Sequence, residues 1–148
     1  MKFYLDTSVF GGYYDPEFSE DTVKLFEAIV ANKFDIVRSS LLDEELGNAP
    51  KRVREVINKI PIEQIEYVRV EQEAIKLASA YVEAGVLSKK FEDDAIHIAL
   101  ATINRVDTLV SWNFKHMVRF FRIRQYNSVN LRLGYSTIDI RSPKEVLP

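Results

Sequence analysis

Short apolar runs and longer stretches with apolar residues three and four positions apart take turns along this chain. Phe3, Tyr4 and Leu5 read as a buried strand that stops on Asp6, followed by the small hydroxyl residues Thr7 and Ser8. Further strands are expected over 34–37, 65–70, 108–111 and 136–140. Between them, Val23, Phe26, Ile29 and Val30 give an apolar helical face from Ser19 to about Asn32, with Glu20 and Asp21 suiting its first turn. Residues 13–18, with Asp15-Pro16, read as a loop. Ser40 and Asp43 resemble a capping box for a short helix through Leu46, stopped by Gly47-Asn48 and Pro50. Helices are also expected over 51–59, with Val53, Val56 and Ile57 inward, over 71–83, closed by a left-handed Gly85, and over 114–124. The helix over 92–104 stands apart. Ala95, Ile96, Ile98, Ala99, Leu100, Ala101 and Ile103 make it apolar nearly all round, as for a helix covered on more than one side. Strands alternating with helices predict an α/β domain, a mainly parallel sheet between helical layers.

Length and composition narrow the class. The chain of 148 residues fits one domain, 1–148, with a sizeable core. No apolar run is long enough to span a bilayer, and the first residues lack a signal-peptide pattern, so a cytoplasmic protein with no membrane contact is expected. With no cysteine, disulfides and thiolate metal sites are excluded. His97 and His116 are too few for a histidine-based zinc site unless carboxylates complete it, so a hard cation on oxygen ligands is expected. The net charge of −2 conceals an asymmetry. Residues 1–103 carry 12 Lys and Arg against 19 Asp and Glu, whereas 104–132 carry six basic residues against Asp107 alone. A basic segment in an acidic chain fits either a polyanion contact or a solvated helix face.

Certain acidic positions serve no obvious structural end. Asp6 closes the first strand, Glu44 and Glu45 lie in the short helix after the second, and Asp93 and Asp94 open the apolar helix. Elements leaving the carboxyl ends of parallel strands share one rim, where α/β sheets bind ligands. Asp6, the Glu44/Glu45 pair and Asn113 belong near it, and Asp94 joins them if its helix runs antiparallel to the strands. Converging carboxylates repel unless a cation neutralises them, and Mg²⁺ or Mn²⁺ suits such a site, polarising a phosphoryl oxygen and activating a water for in-line attack. Each residue also has a structural reading. Asp6, Glu44, Asp93 and Asn113 fit helix starts, His97 a hydrogen-bonded buried histidine, Asp107 a turn, and Trp112 core packing rather than stacking on a base.

Leu5-Asp6-Thr7-Ser8-Val9, the stretch 39–46, Asp94-Ala95-Ile96-His97-Ile98-Ala99 and Leu109-Val110-Ser111-Trp112-Asn113-Phe114 together resemble a PIN domain, in order and over essentially the whole chain. In size the chain is similar to the toxin halves of VapBC-type toxin–antitoxin pairs. The resemblance implies a three-layer α/β/α fold with a five-stranded sheet and a Mg²⁺- or Mn²⁺-dependent endoribonuclease leaving 5′-phosphate and 3′-hydroxyl ends. It further implies a homodimer and a cognate antitoxin. The family's acidic positions match Asp6, Glu45 (better than Glu44) and Asp94 (rather than Asp93) as metal ligands. The fourth is Asn113, a departure that removes a charge and bears on a second metal. Asn113 is thus expected as an auxiliary catalytic residue, with Lys115, Arg119 and Arg122 on one helix face holding the RNA backbone. A PIN-fold protein that binds RNA or a partner with little catalysis is the alternative, motivated by Asn113. A receiver or small phosphatase fits less well, since Asp6 has no second acid beside it and no strand ends on Lys. No glycine-rich phosphate loop points to a nucleotide cofactor.

Overall fold

The structure, a computed structural model, describes residues 1–32 and 34–148. Five strands form one parallel sheet: β1 (Lys2–Leu5), β2 (Asp35–Ser39), β3 (Ile65–Val68), β4 (Thr108–Val110) and β5 (Ile140–Arg141), in the order β3-β2-β1-β4-β5. Side chains of successive strand residues point to opposite faces, so each strand feeds two cores. Tyr4, Val37, Leu109 and Ile140 meet α5 (Gln72–Glu83), α6 (Glu92–Ile103) and α7 (Phe120–Arg132) on one face. Phe3, Leu5, Ile36 and Val110 meet α1 (Thr7–Gly12), α2 (Ser19–Asn32), α3 (Ser40–Gly47) and α4 (Lys51–Arg54) on the other. The result is the three-layer α/β/α arrangement expected from the sequence.

The strand order carries the functional consequence. From β1 the chain steps outward to β2 and β3, then returns to the other side of β1 for β4 and β5. Crossovers of constant hand then lie on opposite faces of the sheet, and a crevice opens where the direction reverses, between the carboxyl ends of β1 and β4. Asp6 and Ser111 follow those two ends.

Several local expectations need correction. The helix expected over 114–124 is a closed turn over 113–118, in which the Asn113 carbonyl accepts from Met117 N and Val118 N. Arg119 is extended, at φ −147°, and the helix restarts as α7 at Phe120. Lys115, Arg119 and Arg122 therefore do not share a helix face. The fifth strand begins at Ile140 instead of 136, because the Asn127 side chain pairs with both the N–H and the C=O of Ile138 and takes that backbone out of the ladder. The third strand ends at Val68, and Val70 N turns to the Ser40 hydroxyl. Residues 51–59 form α4 followed by a tighter 3-10 segment, Glu55–Lys59, although Val53, Val56 and Ile57 are buried as expected. Ser39, not Ser40, caps α3 by accepting from Leu42 N. Gly85 has φ 77°, the left-handed closure foreseen for α5.

The six-residue α1 was not foreseen. Its Gly11-Gly12 pair disfavours helix, yet a Cβ on Gly12 would lie 2.7 Å from Trp112 Nε1. The glycine serves close approach, not flexibility. Trp112 stacks on Phe18 at 4.2 Å and donates to Thr22 Oγ1, so its ring is taken up by packing.

Candidate active site

Asp6 occupies the N-terminal position of α1, but its side chain makes no cap. Instead, Ser8 Oγ donates to Asp6 Oδ1 at 2.5 Å and Ser111 Oγ to Oδ2 at 2.7 Å. Only 4% of the residue is exposed. Burial pushes its carboxyl above the ordinary carboxylate range and the Asp94 charge adds to this, while the two hydroxyls and His97 act against it. A buried carboxylate with no cationic side chain bonded to it among the described residues, raised by a second carboxylate, is poor structural chemistry and good ligand chemistry.

Glu45 comes from α3 and points at the same rim, whereas Glu44 is solvent-exposed. The Glu45 Oε1 atom accepts from Thr7 Oγ1 and from His97 Nε2, each at 2.5 Å. Burial acts to raise this carboxyl, but the hydrogen bond and charge of His97, with the Thr7 hydroxyl, bring it below the ordinary range. Because an ionised carboxylate only accepts, His97 Nε2 donates to it, and on the far side of the ring Nδ1 lies 2.6 Å from Tyr4 Oη. The Ser39 hydroxyl, 2.8 Å from Tyr4 Oη, completes the chain. Burial raises the Tyr4 phenol, which stays protonated. His97 is thus the hydrogen-bonded buried histidine anticipated from sequence, and its partner is a candidate ligand.

Asp94 sits in the first turn of α6, whose N-terminus does lie at this rim; Asp93 beside it is exposed. Its Oδ2 faces Asn113 Nδ2 at 3.3 Å and His116 Nδ1 at 3.1 Å. Asn113 Oδ1 accepts from Lys115 N and His116 N, which fixes the amide orientation. Asn113 therefore offers the site N–H groups rather than a carbonyl oxygen, and it caps a turn rather than a helix. Asp107 lies at the opposite end of the sheet and accepts from Lys2 N.

Three residues here escaped the sequence reading. Tyr4 looked like an ordinary core position; His116 stands three residues after Asn113 but has no recognisable context. Lys90 belongs to the acidic half of the chain, yet its Nζ lies 5.7 Å from the Phe91 ring centre and Lys115 Nζ lies 5.6 Å from it. That ring also packs on His116, with ring centres 4.0 Å apart. Two cations thus flank the group that holds Asp94.

The donors are hard oxygens, the kind that Mg²⁺ or Mn²⁺ takes. Among the described residues no three His, Asp or Glu side chains stand close enough together to form a ready-made cage. Glu45 Oε2 and Asp94 Oδ1 have no protein partner among the described residues, and each Asp6 oxygen retains a lone pair beyond its hydroxyl bond. These free oxygens suit only a cation that keeps several waters, since the described protein side chains do not complete a coordination shell.

This α/β/α architecture, with its reversal of strand order at β1, is PIN-like. The chain is similar along 96% of its length to a chain in the crystal structure of VapBC2 from Rickettsia felis bound to a DNA fragment from their promoter, with a TM-score of 0.56, 16% sequence identity and 98% of that chain covered. At that identity the likeness carries the fold. No family model and no curated protein matches the sequence. Among the described residues, no helix is long and apolar enough to cross a membrane.

Proposed function

We propose that the chain is a metal-dependent endoribonuclease and the toxin of a toxin–antitoxin pair. The observation that supports this best is Asp6: a buried carboxylate at the strand-order reversal, with two more carboxylates on its rim and, among the described residues, no cationic side chain bonded to it. Asp6, Glu45 and Asp94 would hold Mg²⁺ or Mn²⁺. Such a cation polarises the phosphoryl oxygen and raises the acidity of an attacking water. The chain's own residues do the positioning. Ser8 and Ser111 orient both oxygens of Asp6, while Thr7 and the Tyr4–His97 pair fix Glu45 through Oε1 and leave Oε2 toward the cleft. His116 and Asn113 do the same for Asp94. Lys115, Arg119 and Arg122, with Lys90, contribute positive charge for the RNA backbone beside the carboxylates. The likeness to the VapBC2 structure supports a cognate antitoxin as partner; a homodimer and a cytoplasmic location belong to the same reading.

The test is RNA cleavage with Mg²⁺ or Mn²⁺ by the wild type and by Asp6→Asn and Asp94→Asn. Loss in both variants is expected; equal activity in all three would mean a contaminant and defeat the assignment. One observation favours a second reading, an RNA- or partner-binding protein with little catalysis: the fourth acidic position presents an amide N–H. Calorimetry with Mn²⁺ separates the two, because RNA affinity without metal affinity supports the second.

A further inference from the structure

A cavity of about 360 Å³ opens between the start of α7 and β5. It is lined by the apolar Val118, Phe120, Ile123 and Ile140 and by Arg119 and Arg124. The acidic residues at its edge are already engaged: Arg141 bonds both Asp139 and Glu145, and Ser142 bonds Glu145. Arg119 and Arg124 form no ion pair among the described residues. Phe120 is 66% exposed, a large aromatic ring left in water, and the Arg124 guanidinium lies 5.7 Å from its centre. An exposed ring beside an unpaired arginine offers a planar π-face and positive charge together, the combination that receives a base and its phosphate. An acidic peptide would use the arginines and leave the ring idle.

The cavity lies against β5, the strand next to β4, at whose end Ser111 reaches the carboxylate rim. Ser111 N donates to the Arg141 carbonyl at 3.0 Å, while Ser111 Oγ donates to Asp6. On its other side, Val118 N is bonded to the Asn113 carbonyl. We propose that this cavity is a nucleobase subsite: a base of a single-stranded RNA stacks on Phe120, with Arg119 and Arg124 on the adjoining phosphate, one strand along from the reacting phosphodiester. The inference rests on the ribonuclease reading for the identity of the polymer, but not for its measurement.

Binding of a fluorescent single-stranded RNA of about ten nucleotides to the full chain, in EDTA so that no cleavage intervenes, tests it. Phe120→Ala is expected to weaken binding roughly 5- to 100-fold, and Arg124→Ala several-fold. An abasic oligomer of the same length should bind wild type more weakly and erase the difference between wild type and Phe120→Ala. Wild-type affinity in Phe120→Ala would overturn the proposal. So would an undiminished Phe120 effect on the abasic strand, which would indicate a backbone contact. Polyglutamate that displaces the RNA and itself depends on Phe120 would assign the cavity to an acidic peptide instead. If wild type fails to cleave RNA with Mn²⁺ while Phe120→Ala still loses affinity, the nuclease reading falls and the subsite stands. If wild type cleaves and Phe120→Ala binds RNA unaltered, the subsite falls and the nuclease reading stands.

Discussion

Asp6 pays for its position. Folding raises its carboxyl pKa, so in the pH window above the ordinary carboxylate value the folded chain holds a proton more firmly than the unfolded chain does. Stability then falls as pH rises through that window, and the ionised group is a liability at neutral pH. In EDTA, Asp6→Asn is expected to raise stability by roughly 1 kcal/mol, about 2–4 °C in Tm, while abolishing cleavage; a lower melting temperature would contradict the buried-charge account. Glu45 behaves oppositely. Its pKa is lowered, so its contribution is present above the ordinary value and lost as pH falls. The adjacent acids give a sharper comparison. Glu44→Gln should leave Mn²⁺ affinity by calorimetry unchanged, whereas Glu45→Gln should reduce it roughly 10- to 100-fold, the range seen when a ligand or its support is altered. Sequence favoured Glu45 only by resemblance; the hydrogen bonds from Thr7 and His97 give the physical reason.

At the scale of elements, two short pieces hold the site, and neither was legible. The 113–118 turn depends on the Asn113 side chain and on an extended Arg119, while the pattern of apolar spacing there fits a helix equally well. Asn113→Asp keeps an acceptor for the two turn amides but sets a second carboxylate against Asp94. It is expected to lower the Tm of the metal-free protein and to raise Mn²⁺ affinity, both read by melting with and without the ion. The other piece is α1, whose packing rests on Gly12. The Trp112 ring there is pinned by Phe18 and Thr22, so Gly12→Ala should cost about 1–3 kcal/mol in urea unfolding. Trp112 is the sole tryptophan, so its fluorescence should shift as the ring is displaced.

For the whole molecule, the hidden charge asymmetry becomes a matter of place. Lys90 comes from the acidic part of the sequence and Lys115 from the basic part, and folding sets both beside the Phe91 ring that packs on His116. RNA affinity should therefore fall with salt, and the triple variant Lys115→Ala, Arg119→Ala, Arg122→Ala should flatten the log–log salt slope by about 2; an unchanged slope would remove these residues from the backbone contact. The sequence by itself determined most of the strands and helices, the mainly parallel sheet and the acidic positions, because period-2 and period-3.6 burial and strand-end carboxylates are local patterns. Tertiary structure alone decided which acids meet, that Asn113 turns N–H groups toward Asp94, and that Tyr4, His97 and His116 hold the carboxylates. Those facts depend on pairings between residues up to about a hundred positions apart, such as Ser111 with Asp6, which no local pattern encodes.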